Sequence, residues 1–464
     1  MTYRAITVLL ALFGLVITVL SCGGRDPEGS LLIVQADEGD PEGSHFVVYD
    51  PDGQEKSYSL LSDEFYRVGS PEVSYDGASV LFEGKLGEGD PWQIWELNLG
   101  EERLRRVTNM DADCRYPAYL PGDRVVYSRY EKEESLPGYH VLETCWLNGE
   151  GRQQITFAPE DFTHSTVLKD GRVLAISKQV FPEEREPKLT VMRPDGTKSE
   201  LFYEGERGVI RGQRACETDW GTVVFLEDLS KKERENALTS VLYNRPLGGS
   251  KNLLQGNTVD VLSVSQIPGQ GILVTGRLEA DGSYGIYSLD PGDQEKLRPI
   301  DVEPGIRALA AVSITPRQRP KKLPSAVNYD VKTALIVCQD VNFTGMDYEA
   351  PSALKDKEIR KATSVELLGT KGKIGYAELE NDGSVYLKVA ADVPFRLQTL
   401  DSSGARVMGP SSWITLRPNE RRGCVGCHAG QERVPGNRQP LAVQKEPVMI
   451  PGVNQAILAN ATNQ

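Results

Sequence analysis

Short apolar runs, many of them alternating with polar residues, follow one another through most of the chain, and Gly-containing turns separate them. A two-residue alternation between turns is typical of half-buried β-strands. Residues 31–312 show no sustained periodicity of about 3.6 residues, which a solenoid of helix pairs requires. The pattern therefore predicts an all-β protein.

A strand, a Gly turn and a second apolar strand recur five times in residues 31–312. The turn glycines lie 45, 49, 50 and 50 residues apart, and they are Gly77, Gly122, Gly171, Gly221 and Gly271. A second hairpin follows each pair, with turns such as Asp195-Gly196, so each unit holds about four short strands. This period and strand number are typical of a β-propeller blade.

The number of blades depends on the two ends of the repeat region. Residues 306–312 supply a sixth inner strand, and residues 31–34 and 45–49 supply strands that complete the same blade. Such a closing blade leaves no open sheet edge. We predict a six-bladed β-propeller over residues 31–314. Seven blades are the main alternative, and a long sandwich or barrel is another.

The chain beyond the propeller is predicted to form a linker and a smaller domain. Residues 315–327 hold three prolines and four basic residues without a strand pattern, which indicates a linker. Residues 328–418 are predicted to form a small β-sandwich-like domain, with a short helix over residues 352–361. Its strands are predicted at residues 334–338, 364–368, 374–379, 385–389, 395–400 and 413–416. Residues 419–464 form the last segment and tail.

The N-terminus resembles an export signal. Arg4 is the only charge in the first 24 residues, and the apolar run 5–20 is shorter than the ~20 residues of a bilayer span. The end of the run, Val19-Leu20-Ser21-Cys22-Gly23, is similar to the lipobox of bacterial lipoproteins. This resemblance implies removal of residues 1–21, a lipid on Cys22, and a tether over residues 22–30. The alternative is an uncleaved anchor helix. We expect a lipid-anchored protein of the bacterial cell envelope that faces the periplasm, with the outer membrane favoured.

Composition narrows the function classes. Hydrophobic residues at 39% and charged residues at 25% exclude a disordered chain. A net charge of -14 without a basic block argues against a nucleic-acid partner. Cys114 and Cys145 lie in one blade unit and allow a disulfide. Cys114, Cys145, Cys216 and Cys338 are equally compatible with buried free thiols.

The most specific motif is Cys424-Val425-Gly426-Cys427-His428. In an exported protein, C-x-x-C-H is typical of c-type haem attachment. The thiols of Cys424 and Cys427 bond the two vinyl groups, and His428 is the proximal iron ligand. A zinc site would need further ligands, a reactive dithiol would need an α/β setting, and a disulfide across two residues would be strained. We predict one haem c, and residues 419–464 as its attachment segment and the tail of the chain.

The residues around this motif resemble the C-terminal haem region of hydrazine synthase alpha-subunit-like proteins. The stretches that carry the resemblance are residues 381–386, 394–401, 412–414 and 418–428. The propeller looks like the middle domain of that family. The resemblance implies a haem protein; hydrazine synthase condenses nitric oxide and ammonium at haem in a multi-subunit complex. Its alpha subunit carries two c-haems and a Tyr ligand after one motif. This chain has one such motif and no Tyr after His428, so we do not expect hydrazine synthesis.

The sixth iron ligand stays open, with His164, Met408 and Met449 as weak candidates. We expect a monohaem cytochrome that exchanges electrons with a protein partner and is tethered to the membrane by its N-terminal lipid. The alternative is a binding or scaffold lipoprotein whose haem is structural or sensory. A complete enzyme is less favoured, because no compact group of acid and base residues lies near the motif in sequence.

Overall fold

A computed structural model describes most of the chain. The described residues are 27–36, 43–51, 53, 56–206, 208–229, 236–254, 260–277, 284–290, 297–302, 307–343, 361–426 and 437–451. Within them the protein is built from strands, and the single helical element is a short 3-10 helix at Leu441–Gln444. No helix in this part of the chain is long and apolar enough to cross a membrane. The helix expected at 352–361 falls outside the described residues except at its last position.

Twenty-five strands form the propeller. The first twelve are β1 (Leu31–Ala36), β2 (Ser44–Tyr49), β3 (Tyr58–Leu60), β4 (Arg67–Val73), β5 (Ser79–Lys85), β6 (Gln93–Asn98), β7 (Arg103–Arg106), β8 (Cys114–Leu120), β9 (Arg124–Glu131), β10 (Tyr139–Trp146), β11 (Gln153–Gln154) and β12 (Glu160–Val167). The others are β13 (Val173–Gln179), β14 (Lys188–Met192), β15 (Glu200–Tyr203), β16 (Val209–Ile210), β17 (Cys216–Glu217), β18 (Thr222–Asp228), β19 (Asn236–Leu242), β20 (Ser250–Asn252), β21 (Asp260–Ile267), β22 (Gly271–Arg277), β23 (Gly285–Leu289), β24 (Leu297–Ile300) and β25 (Ala308–Ser313).

These strands pair as six antiparallel blades, which confirms the predicted architecture. Blades one to five are β4–β7, β8–β11, β12–β15, β16–β20 and β21–β24. The sixth joins the two ends of the region, because β25 pairs with β1, β1 with β2, and β2 with β3. This blade meets the first through one parallel bridge between Ser44 and Arg67. Pairing of the last strand with the first closes the ring without an open edge between its ends.

The hydrophobic core lies between the blades. The middle strands β9, β13 and β18 are buried along most of their length, because neighbouring blades cover both of their faces. Phe46 of the sixth blade meets Phe82 of the first edge-to-face, with 5.2 Å between ring centroids. Each blade therefore buries its apolar face against the next blade, which explains why a blade is stable only within the complete ring.

The linker is docked on the propeller. It passes the turns that follow the inner strands of blades one to three, and the backbone NH of Arg317 donates to the carbonyl of Tyr75 at 2.9 Å. Further along, the NH of Lys321 donates to the carbonyl of Lys169 at 3.1 Å, and the NH of Ala326 donates to Asp195 at 2.7 Å. Its composition predicted the connection but gave no sign of these contacts.

The second domain is a sandwich of two four-stranded sheets. Its strands are β26 (Thr333–Asp340), β27 (Ser364–Gly369), β28 (Gly372–Glu378), β29 (Val385–Ala390), β30 (Arg396–Leu400), β31 (Arg406–Met408), β32 (Arg421–Gly426) and β33 (Val448–Met449). One sheet has the order β32-β26-β29-β33 and the other β28-β27-β30-β31. One apolar core joins residues of both sheets, including Ile336, Leu367 and Leu387.

Two features of this domain differ from the predicted strands. Residues 413–416 form no strand and contribute a single bridge between Ile414 and Phe395. In contrast, β32 and β33 lie beyond residue 418 and complete the first sheet. The sheet therefore extends into the segment that carries the C-x-x-C-H motif.

Candidate functional site

The first cysteine of the motif lies on an edge strand of the sandwich. β32 runs parallel to β26, and Cys424 stands opposite Cys338 in the register. Parallel pairing joins segments that are distant in sequence, so β26, some ninety residues earlier, holds this strand in place. Cys427 and His428 lie outside the described residues.

Cys424 faces an apolar cavity of about 250 Å³ between the two sheets. The cavity is lined by Ile336, Cys338, Val341, Val365, Val385, Leu387, Leu397, Thr399, Met408, Gly409, Ser411, Ile414, Cys424 and Gly426. Burial raises the pKa of the half-buried Cys424 thiol, and Arg422 opposes this effect. The thiol is therefore neutral at pH 7 and sits at an apolar surface.

The described residues fit one attachment point of a c-type haem. A thiol at the rim of an apolar cavity is where a thioether to a porphyrin edge would form, and aliphatic side chains suit the faces of the macrocycle. Met408 lines the same cavity and offers a thioether sulfur, a soft ligand for iron. Among the described residues there is no group of three or more His, Cys, Asp and Glu that could hold a metal ion.

The other candidate iron ligands lie elsewhere. Met449 is exposed on β33, at the opposite edge of the sheet from β32. His164 lies on β12 and lines a separate cavity inside the propeller. The structure thus brings Met408 to the cavity of Cys424, whereas it brings neither His164 nor Met449 there. Cys22, the predicted lipid site, is outside the described residues.

The start of β32 is anchored to the propeller through buried charges. Arg417 is 2% exposed; its Nε donates to the carbonyl of Asp195 at 2.9 Å, and its guanidinium pairs with Asp392 at 2.6 Å. The buried carboxylate of Glu420 accepts from the backbone NH of Lys198 at 3.0 Å and from Arg422 at 2.8 Å. The strand that carries Cys424 is therefore fixed against blade three.

Cys114, Cys145 and Cys216 are buried free thiols in the structure. Cys114 and Cys145 share one apolar cluster between blades one and two. Burial raises the pKa of Cys114 to about 12 and that of Cys145 to about 11. The sequence allowed either a disulfide between Cys114 and Cys145 or free thiols, and the structure has the free thiols.

A larger cavity, of about 480 Å³, lies along the propeller axis. It is lined by the inner strands and by charged and aromatic side chains, including Glu72, Trp92, Arg115, Tyr116 and Arg214. The residue pattern drew attention to His164 in this region but not to these neighbours. These side chains come together only when the ring closes, so their spacing along the chain does not predict that they share a cavity.

The architecture defines a class of protein: a six-bladed propeller joined to a sandwich whose edge strand enters a C-x-x-C-H motif. Residues 330–429 match the family model described as "Hydrazine synthase alpha subunit middle domain". The match covers the sandwich and the motif, whereas the resemblance drawn from sequence gave the name of the middle domain to the propeller.

Known proteins support the same family. The curated hydrazine synthase subunit alpha of Kuenenia stuttgartiensis is 22% identical, over 82% of this chain and 62% of its own length. The solved structure of Kuenenia stuttgartiensis hydrazine synthase matches with a TM-score of 0.74 and 19% identity, covering 90% of this chain and 72% of that chain. These matches confirm the resemblance to hydrazine synthase alpha-subunit-like proteins. This chain spans less than two thirds of the curated relative.

Proposed function

We propose that the protein is a monohaem c-type cytochrome, with Cys424 and Cys427 bonded to the haem and His428 as proximal ligand. The observation that carries this proposal is the position of Cys424, whose thiol lines an apolar cavity at the end of an anchored strand. The family match extends to residue 429 and so includes the whole motif. The relation to hydrazine synthase subunit alpha supports a haem protein in general.

The proposed role is electron transfer with a protein partner. The haem would supply a one-electron couple of its iron when bound. The chain's part is to hold the attachment strand rigidly: β32 is bonded to β26 on one side, and Glu420 and Arg417 bind the preceding segment to blade three. Arg421, which is exposed beside the motif, is suited to the rim of a partner-docking surface.

The proposal includes attachment to the cell envelope. A lipid on Cys22 would tether the mature chain to a bacterial membrane with the propeller facing the periplasm, and we favour the outer membrane. Hydrazine synthesis is not part of the proposal, because the chain carries a single C-x-x-C-H and no Tyr after His428.

The alternative function is a binding or scaffold lipoprotein with a structural or sensory haem. The observation that favours it is the propeller cavity of about 480 Å³, which lies apart from Cys424 and which electron transfer does not require. Both functions share the covalent haem, so they are tested in two stages.

Covalent attachment is tested by expressing the mature chain with a c-haem maturation system. We expect one haem per chain in the pyridine haemochrome spectrum, with a c-type band position. Cys424→Ala should shift that band toward the position of a single thioether or abolish the haem. Cys338→Ala is the matched control, since Cys338 stands opposite Cys424 and lines the same cavity. An unchanged band position together with an unchanged haem content in Cys424→Ala would contradict the proposal.

Electron transfer is then tested by rapid mixing of the reduced protein with an oxidised soluble cytochrome c. We expect second-order reoxidation of the haem that slows with rising ionic strength, because charged rims steer such encounters. Absence of reoxidation in a protein with intact covalent haem would reject electron transfer and favour the scaffold function.

A further inference from the structure

The propeller cavity is built from irregular positions of the inner strands. β4, β8 and β12 each carry a register shift, and Ser70, Tyr116 and His164 there adopt left-handed backbone conformations with φ of 48°, 53° and 51°. All three residues line the cavity. Backbone strain repeated at one level of three successive blades is common where side chains must point at a ligand.

Three cavity-lining side chains have buried polar atoms without a hydrogen-bond partner among the described residues. These atoms are Nε of Arg115, Nδ1 of His164 and Oγ of Ser263. Each can donate a hydrogen bond: the guanidinium always, the hydroxyl by rotation, and the imidazole in one tautomer. Buried polar atoms in native proteins are normally satisfied by protein, water or ligand, so these three donors are open to a bound water or ligand.

The charges around the cavity leave a positive excess. The carboxylate of Glu72 forms ion pairs with two guanidinium groups. It lies 3.2 Å from Arg214 and is in contact with Arg317. Glu83 pairs with Arg115 at 2.8 Å. Among the described lining residues five are basic and four are acidic, although the whole chain has a net charge of -14. The lining thus carries one positive charge in excess, and the carboxylates of Asp113 and Asp161 act on Arg115 and His164 from behind it.

The remaining walls suit an organic molecule. The guanidinium of Arg115 lies 4.6 Å from the ring of Trp92 and 4.7 Å from that of Tyr116, and the ring of His164 stacks on Tyr116 at 3.8 Å. Apolar side chains complete the lining, among them Val34, Val68, Val167, Val264 and Val312. The linker residues Arg317 and Pro320 line the cavity near the turns after the inner strands.

We propose that this cavity is a binding site for a small organic carboxylate. Its oxygens would accept from Arg115, His164 and Ser263, its charge would balance the excess beside Glu72, and its carbon skeleton would contact the aromatic and valine side chains. The proposal does not depend on the haem, and the site shares no residue with the cavity of Cys424.

The test uses the full mature chain with isotope-labelled histidine. The chain has four histidines, so each imidazole gives a separate NMR signal, and His164→Asn assigns that of His164. At constant pH and ionic strength we expect succinate to shift the His164 signal saturably, whereas succinamide, which lacks the charge, leaves it in place. Sulfate tests whether an inorganic anion suffices.

Two variants sharpen the test. Arg115→Gln should weaken succinate binding at least tenfold. Arg124→Gln is the matched control, because Nε of Arg124 is also buried without a partner but lies outside the cavity. If succinate causes no saturable shift of the His164 signal in the wild type, the proposal is overturned, and no variant is needed for that conclusion. An equal response to sulfate, or equal weakening by the two variants, would also overturn it.

Discussion

His164 is a buried neutral imidazole, and its surroundings give it a measurable effect on stability. Burial is the largest cause that lowers its pKa from 6.5 to about 3; the positive charges of Arg214 and Arg115 add to this shift, whereas Asp161 opposes it. Below pH 6.5 the unfolded chain binds a proton that the folded chain does not, so acidification favours unfolding.

We expect this histidine to remove about 2 kcal/mol of folding free energy between pH 7 and pH 5. His164→Asn keeps a residue that tolerates the left-handed backbone and removes the titration. Urea denaturation at the two pH values should show a smaller loss of stability in the variant than in the wild type. Equal losses would mean that the imidazole of His164 has the same pKa in the folded and the unfolded chain, which would contradict its burial as a neutral group.

The single residues that carry chemistry were visible in the sequence to different degrees. Cys424 was identified from the spacing of a local motif, and this spacing does not depend on the tertiary structure. The surroundings of Cys424 were not predictable, because Met408 and Cys338 reach its cavity from other strands. The same is true of Arg115 and Arg214, which lie in different blades and line one cavity only in the closed ring.

At the scale of the elements, two turn glycines allow a direct test of whether the linker packs on the propeller. Gly171 and Gly221 occupy the same turn in neighbouring blades, with φ of +90° and +81°. A Cβ on Gly171 would overlap the carbonyl oxygen of Lys321 in the linker, whereas a Cβ on Gly221 would meet nothing within 4 Å. Alanine therefore introduces similar backbone strain at both sites but displaces the linker only at the first.

We expect Gly221→Ala to cost about 1 kcal/mol of folding free energy through its backbone conformation. Gly171→Ala should cost about 1–3 kcal/mol more, because it also disturbs a packed contact. Urea denaturation of both variants gives the difference. Equal costs would show that the linker does not rest on blade three in solution.

The elements themselves were predictable where a strand carries its own pattern. The middle strands of the blades, such as β9, β13 and β18, are largely apolar, and the closing strands β1, β2 and β25 lie close to the residues where the pattern predicted them. β32 has the sequence RRGCVG, which lacks such a pattern, and it becomes a strand because β26 offers an open edge. Residues 413–416 show the converse, since apolar residues without a partner edge form only a bridge.

In the whole molecule, Arg417 joins the propeller to the sandwich. Its guanidinium bonds the carbonyl of Asp195 in blade three and the carboxylate of Asp392 in the sandwich, and it lies 4.8 Å from the ring of Phe157. Burial of this charge is stable only with all of these partners in place. The side chain therefore couples the folding of the two domains.

We expect Arg417→Ala to destabilise the protein by about 3–5 kcal/mol and to split a single calorimetric transition into two. Arg438→Ala is the control, since this half-exposed arginine binds Gln339 and Asp382 within the sandwich. Its cost should stay below about 1 kcal/mol. A single undivided transition in Arg417→Ala would indicate that other interface contacts, such as that of Trp413 with Phe181, suffice for coupling.

The repeat of strands and turns and the C-x-x-C-H motif could be read from the chain alone, because both are local patterns set by neighbouring residues. The number of blades could also be predicted, because strands at the two ends of the repeat region complete one blade. The tertiary structure alone decided the docking of the linker, the edge strand of Cys424, the free state of Cys114 and Cys145, and the two cavities. Each of these depends on contacts between residues far apart in the chain, which a local pattern does not encode.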